Sequence, residues 1–441
     1  MPSNAQSQPA NGSKGKRRKK SKLFSMPEYA KSFRKRGEMD IGFLIIVMLL
    51  LVIGIIMMYS ASYAWAINAG LESDYYFNRQ LRMAIIGLVV LFITANVDYH
   101  LYRVPFVAIG AYIGSMALML MCFIPAFSSD NEDANRWISI GSLSFQPSEL
   151  MKLAMIFLLA LVLSNNYNTI SSKNTLLPSV LPSGIIMAVA AGLMIIQRHI
   201  SGAIIIAIIG LMMAVASGMR KRYILFILLV GTVVGILAIE LYTKIKNYDY
   251  LAVRIDVWQH PFDDERYSNG ENWQIKNSLI AIGSGGLFGL GFGNSRQKFL
   301  YLPESKNDFI FAIVCEELGL VGALVVILLF LLLVIRGFKI ATNAPDKFGM
   351  LTAAGIVFQI GLQALLNIAV VTNAMPNTGI SLPFFSYGGT ALIMQLAEMG
   401  IVLNVSRQSV PDKKTEDSDI QPQPQPPAPK PTPKTVKPRR R

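Results

Sequence analysis

Residues 41–66 read IGFLIIVMLLLVIGIIMMYSASYAWA, with no Asp, Glu, Lys or Arg among them. As a helix, such a run outreaches the about 30 Å hydrocarbon core of a bilayer. Working outward, further apolar spans fall at 82–96, 104–126, 148–164, 180–197, 201–218, 223–242, 308–335, 349–371 and 389–405. Composition agrees. Hydrophobic types make up 52% of the 441 residues and charged types 15%, with mean hydropathy +0.43. A soluble globular chain is nearer about 25% charged. A large water-soluble enzyme is therefore excluded. The expected fold is all-α: a polytopic integral membrane protein of ten transmembrane helices, with a large extracellular loop between helices 7 and 8.

The chain divides into a membrane domain, 41–407, and two polar tails. Residues 1–40 form a basic tail, read as disordered, and 408–441 a basic tail rich in Pro and Gln, read as extended. The net charge of +14 gathers at these ends, where cations set topology and meet anionic lipid; nucleic acid is not the expected partner. Arg220-Lys221-Arg222, and Arg336 with Lys339, follow the sixth and eighth spans. The positive-inside rule then puts both termini in the cytoplasm and the loop 243–307 outside. Cys122 and Cys315 lie in apolar runs and read as packed thiols, and His100, His199 and His260 share no metal-ligand spacing.

Charges inside a membrane usually have a partner or a job. In the fourth span Ser148 suits an N-cap, and Glu149 shares a face with Lys152. Lys152 reads either as a helix-start partner snorkelling outward or as a cation at the mouth of a cavity suited to phosphate. The eighth span opens at Asn307-Asp308, with Glu316 eight residues on along the same face and Glu317 beside it. Asp308 reads as a cap serving the helix dipole, or as an outward-facing base. Gln359, Gln363 and Asn367 form a polar stripe on the ninth span, suited to interhelical hydrogen bonds or to a substrate groove. Glycines at 283, 285, 286, 289, 291 and 293 give no GxGxxG register and no nucleotide site; they fit backbone near a ligand or a plain mobile loop. The carboxylates Asp256, Asp263, Asp264, Glu265 and Glu271 read as solvated. The segment Pro376–Gly389 is too broken for a helix and so lines a cavity or is buried in protein. These residues give an outward cavity walled by the fourth, eighth and tenth spans, fit for an enzyme on a lipid-borne substrate or for a transporter.

Four segments carry a resemblance: Arg136-Trp137-Ile138 through Gln146-Pro147-Ser148-Glu149-Leu150 to Lys152; Gln274 through Ala281-Ile282-Gly283-Ser284-Gly285-Gly286 to Gly291; Leu302-Pro303-Glu304 through Asp308-Phe309-Ile310-Phe311 to Glu316-Glu317-Leu318-Gly319; and Pro376–Gly389. In order and spacing the chain resembles the SEDS family of cell-shape, division and sporulation proteins. Met58-Tyr59-Ser60-Ala61-Ser62 and the Tyr76-Phe77 segment look more like its division branch, with the sporulation branch left open. The resemblance implies a peptidoglycan glycosyltransferase in the bacterial cytoplasmic membrane, at the division septum, polymerising lipid II on the outer face. It implies Asp308 as the catalytic base, and Arg136, Lys152, Glu149, Gln146, Glu304, Ser386 and Gly388 as substrate-binding residues. It also implies a class B penicillin-binding protein transpeptidase and other divisome proteins as partners, with a divalent cation, Mg or Mn, as the one candidate cofactor. The alternatives are a lipid II flippase and a non-catalytic divisome scaffold. One departure stands out: where the family shows Gln-Pro-Asp-Leu-Gly-Thr-Ala, this chain has Gln197-Arg198-His199-Ile200-Ser201-Gly202-Ala203, so the acidic residue is a histidine.

Overall fold

The computed structural model describes residues 37–124, 136–140, 143–167, 170, 176–246, 250–263 and 272–408. Most of both tails and the carboxylates Asp264, Glu265 and Glu271 lie outside the described residues. Every one of the ten apolar spans contains a helix: α1 (Ile41–Asn68), α2 (Tyr75–Asn96), α3 (Pro105–Met121), α4 (Pro147–Asn165), α5 (Leu181–Ile196), α6 (Ile200–Ala216), α7 (Lys221–Lys246), α10 (Ile310–Thr342), α11 (Lys347–Val371) and α12 (Gly389–Arg407). Among the described residues seven segments are long and apolar enough to cross a membrane, and α3 and α6 are shorter apolar helices.

Burial sorts these helices. α4 is 83% buried along its apolar length and α11 and α12 are 67% buried, against 39% for α1 and 28% for α10. The first three form the centre. The latter two show lipid a stripe at helical spacing, Ile41, Ile45, Leu49, Val52 and Ile56 on α1 and Leu320, Leu324, Leu328, Leu331 and Ile335 on α10. α2 lies along α12, and a Cβ on Gly400 would sit 2.3 Å from the Leu91 carbonyl, so only glycine permits this crossing.

Several expectations are corrected. α2 begins at Tyr75, seven residues before 82, because Arg79 and Arg82 are held within its first turns; the Arg82 Nε donates to the Asn78 carbonyl. The stretch 243–307 is no plain loop: α7 runs into it, and α8 (Tyr250–Gln259) and α9 (Trp273–Gly285) follow. A two-stranded antiparallel ribbon, β1 (Ile138–Ile140) with β2 (Leu143–Phe145), leads into α4 and pairs Ile138 with Phe145. Gln146, not Ser148, is the N-cap of α4, because Pro147 takes the first helical position.

The glycine-rich loop packs into a break in α10. α10 is broken at Gly319 (φ 66, ψ −167), which frees the Glu316 and Glu317 carbonyls. The amides of Leu290 and Gly291 donate to those carbonyls at 2.9 and 3.1 Å. Leu320 and Val321 donate back to Gly286 and Leu287. Lys298 seals the splice, donating to Glu317 Oε1 at 3.0 Å and Ser60 Oγ at 2.9 Å, both buried.

Candidate active site

Asp308 does not cap a helix. Phe309 is the N-cap of α10 without a side-chain cap bond, and α10 starts at Ile310, so Asp308 stands in a turn before it. Asp308 and Glu316 therefore do not share a face. Glu316 turns toward 295–297 and accepts from the Arg296 amide at 2.9 Å and from the Ser295 hydroxyl.

Consecutive residues of the Asp308 turn are held by different elements. The Trp65 indole of α1 donates to Ser305 Oγ at 2.9 Å. The Lys306 ammonium lies 4.4 Å above the Trp65 ring and 4.5 Å above the Tyr76 ring of α2, and its carbonyl accepts from the Tyr387 amide. The Ser386 hydroxyl donates to the Asn307 carbonyl at 2.7 Å. The Asn367 amide on α11 donates to the Asp308 carbonyl at 2.7 Å. The Asp308 carboxylate faces Gly379, where a Cβ would lie 3.4 Å from Oδ2.

Asp308 opens into a cavity of about 230 Å³. Seven of the eight expected site residues line it: Asp308, Arg136, Lys152, Glu149, Gln146, Ser386 and Gly388. The eighth, Glu304, does not. Its exposed carboxylate accepts from the Asn307 side chain and acts on Asp308 through its charge, while its carbonyl accepts from the Asn307 and Phe309 amides within the turn. Lys152 does not snorkel outward. It is 2% exposed, lines the cavity and donates to Glu149 Oε1 at 2.8 Å. Beneath it Gln359 donates to Glu398 Oε1 at 2.9 Å, so the polar stripe of α11 ties helices at its inner end and meets the cavity at Gln363.

The electrostatics suit a proton acceptor. Burial, and next the Glu304 charge, push the Asp308 carboxyl up to about 6, against the pull of Arg136 and Arg254. His199 stands before α6 and lines the same cavity; burial, then Arg136 and Lys152, push its imidazole down to about 3, so it is neutral at pH 7. No three His, Cys, Asp or Glu side chains gather as a metal site among the described residues. The carboxylates that line the cavity are Asp308 and Glu149; a Mg²⁺ there would draw its remaining ligands from water and substrate phosphate.

Arg254 and Asn367 were not foreseen as site residues. Arg254 on α8 donates to the Asn377 carbonyl, and its sequence surroundings, a mixed-charge stretch, carried no signal. Asn367 had one signal, its place at the outer end of the polar stripe.

The family model for FtsW, RodA and SpoVE, described as "Cell cycle protein", matches residues 41–410. Stage V sporulation protein E of Bacillus subtilis is 40% identical over 383 residues, covering 85% of this chain and 99% of that protein. A probable peptidoglycan glycosyltransferase FtsW of Geobacter metallireducens is 36% identical, covering 83% and 94%. Among solved structures, a chain from work on the coordination of polymerization and crosslinking by a peptidoglycan synthase complex has a TM-score of 0.67 at 25% identity, covering 85% and 99%. The rod shape determining protein RodA of Thermus thermophilus has the same fold, with a TM-score of 0.60 at 24% identity, covering 85% and 98%.

Proposed function

This chain belongs to the FtsW/RodA/SpoVE family of cell cycle proteins, and from that premise we propose that it is a peptidoglycan glycosyltransferase. It polymerises lipid II into glycan strands on the outer face of the cytoplasmic membrane during septal wall synthesis. Both tails lie in the cytoplasm, and the cavity opens on the outer side. The observation that carries the reading is the Asp308 carboxylate, held at the cavity wall with Arg136 and Lys152 lining the same space.

The acceptor's GlcNAc 4-hydroxyl gives its proton to Asp308, and the freed oxygen attacks the anomeric carbon of the donor's terminal MurNAc. A glycosidic bond forms, the bond from that carbon to phosphate oxygen breaks, and undecaprenyl pyrophosphate leaves with the electron pair. Asp308 then passes the proton to water. Arg136 and Lys152 stabilise the charge that builds on the pyrophosphate. Lys152 does so from within its pair with Glu149, and Arg136 while donating to the Arg198 carbonyl. Neutral His199 leaves the field of both cations undiminished, whereas an aspartate there would offset it.

A class B penicillin-binding protein is the expected partner, crosslinking the strands this chain makes. The test is polymerisation of lipid II by reconstituted wild type and Asp308→Asn, with and without that transpeptidase. A general base contributes about 10²–10⁴-fold, so Asp308→Asn falls by that factor while keeping its fold. Glycan chains of normal yield from Asp308→Asn would refute the assignment. A lipid-translocation assay in the same vesicles separates polymerase from flippase.

A further inference from the structure

Of the three polar residues along α11, Gln359 is engaged by Glu398 and Gln363 meets the cavity. Asn367 does neither. It is fully buried, and its amide nitrogen donates to two carbonyls from separate segments, Asp308 at 2.7 Å and Ile380 at 2.6 Å. Two carbonyl partners require the NH₂ end of the amide at this point, which fixes its orientation.

A buried asparagine that serves only its own helix satisfies itself on a carbonyl four residues back. Asn277, also buried, does this with Trp273 at 2.8 Å. Asn367 spends both hydrogens across the gap between the Asp308 turn and the Gly379–Ile380 backbone, and its Oδ1 is buried without a partner. An orphaned oxygen is a cost that an apolar residue at this packing position avoids.

The two carbonyls it joins flank the point where the Asp308 carboxylate meets Gly379. The neighbouring ties leave Asp308 itself unheld: Ser386 grips Asn307, and the Tyr387 amide grips Lys306. We propose that Asn367 is a positioning residue, whose amide fixes the Asp308 peptide against the Gly379–Ile380 strand and so sets where the carboxylate stands in the cavity. The inference rests on Asp308 being the base. Without the amide the loop stays docked through Ser386 and Tyr387, while the carboxylate is free to swing toward cavity water.

The experiment measures lipid II polymerisation across pH 4.5–8 by wild type, Asn367→Ala, the isosteric Asn367→Asp and Asp308→Asn, each in detergent with its thermal unfolding recorded. Misplacement by about an ångström costs on the order of 10²-fold, so each Asn367 variant loses about 10- to 100-fold in kcat, with KM within about twofold. In Asn367→Ala the acid-side midpoint of the profile also moves down from about 6 toward the ordinary carboxylate range, because a released Asp308 regains water, whereas the second carboxyl of Asn367→Asp moves it up. A role confined to stability lowers the unfolding temperature but leaves kcat per folded molecule and the midpoint where they were; that result from either folded variant would overturn the proposal. Full activity of Asp308→Asn would instead overturn the reading beneath it, and the two failures are distinguishable.

Discussion

Gly289 and Gly319 meet back to back: a β-carbon on Gly319 would stand 2.3 Å from the Gly289 nitrogen, and one on Gly289 would stand 2.1 Å from the Glu317 carbonyl oxygen. Both have positive φ, 78° and 66°. The contact lets the loop enter the break in α10 and satisfy carbonyls that the helix abandons there.

Gly319→Ala and Gly289→Ala are each expected to lower stability by about 1–3 kcal/mol, from backbone strain and overpacking together. Gly110→Ala is the control. It sits in α3 with nothing within 4 Å of its added carbon, and it gains about 0.4–1 kcal/mol. Thermal unfolding of the three variants in one detergent checks the contrast, and equal shifts would remove the splice from the argument.

The Glu149–Lys152 pair gives a second prediction. Both side chains are buried, at 10% and 3% exposure, so removing one partner strands the other. Lys152→Met should destabilise by about 3–5 kcal/mol, while the double variant Glu149→Gln/Lys152→Met recovers much of it. Unfolding midpoints for the four members of the cycle test the coupling; additive effects would mean that the pair is not one unit.

Activity should rise with pH through about 6. The Asp308 carboxyl must be ionised to take a proton, and burial with the Glu304 charge holds it protonated below that point. Glu304→Gln removes the second cause and should shift the rising limb to lower pH. An unmoved limb in initial-rate profiles would detach Glu304 from the site.

A clasp at the other end of the bundle predicts a pH-dependent stability. The His100 ring lies 2.7 Å from Asp98 and 3.0 Å from Asp346, and Tyr99 donates to Asp346, whose carboxylate also caps α11. Burial opposes charge on His100, but its bonds to Asp346 and Asp98 win and raise its pKa. Asp346 is likewise opposed by burial, yet its bonds from His100, Tyr99 and the Gly349 amide hold it well below the usual carboxylate range. A raised histidine stabilises fully below about pH 6.5 and loses its contribution as pH climbs through the raised value. The lowered aspartate contributes above about pH 4. The clasp is therefore strongest between about pH 4 and 6.5. His100→Gln should flatten the unfolding temperature from pH 6 to 8; an unchanged slope would show that the clasp carries no such linkage.

Much of the architecture was readable beforehand, because lipid imposes one rule on every spanning residue. The run 41–66 and its nine successors declare themselves through long apolar stretches that few charges interrupt. Asp308 was found by its match to a family pattern, its charge at a span boundary being compatible with an ordinary cap. What stayed hidden was tertiary. Gly319 lies within an apolar helical run and gives no sign of a break until Gly289 is seen against it. Arg254 belongs to a loop that looked solvated and becomes a neighbour of Asp308 through α8. Asn367 was visible as polar, but its two acceptors lie 59 and 13 residues away along the chain.

Ser305, Lys306, Asn307 and Asp308 answer to α1, to α1 with α2, to the Ser386 segment and to α11 in turn. A peptide slung from several independent posts averages their jitter. Drift of one post displaces the turn by only a fraction of that drift, and a concerted spreading of all of them carries it bodily. Registration of the turn is thus shared by the whole collar of helices, while the acid at its end takes its final setting from α11.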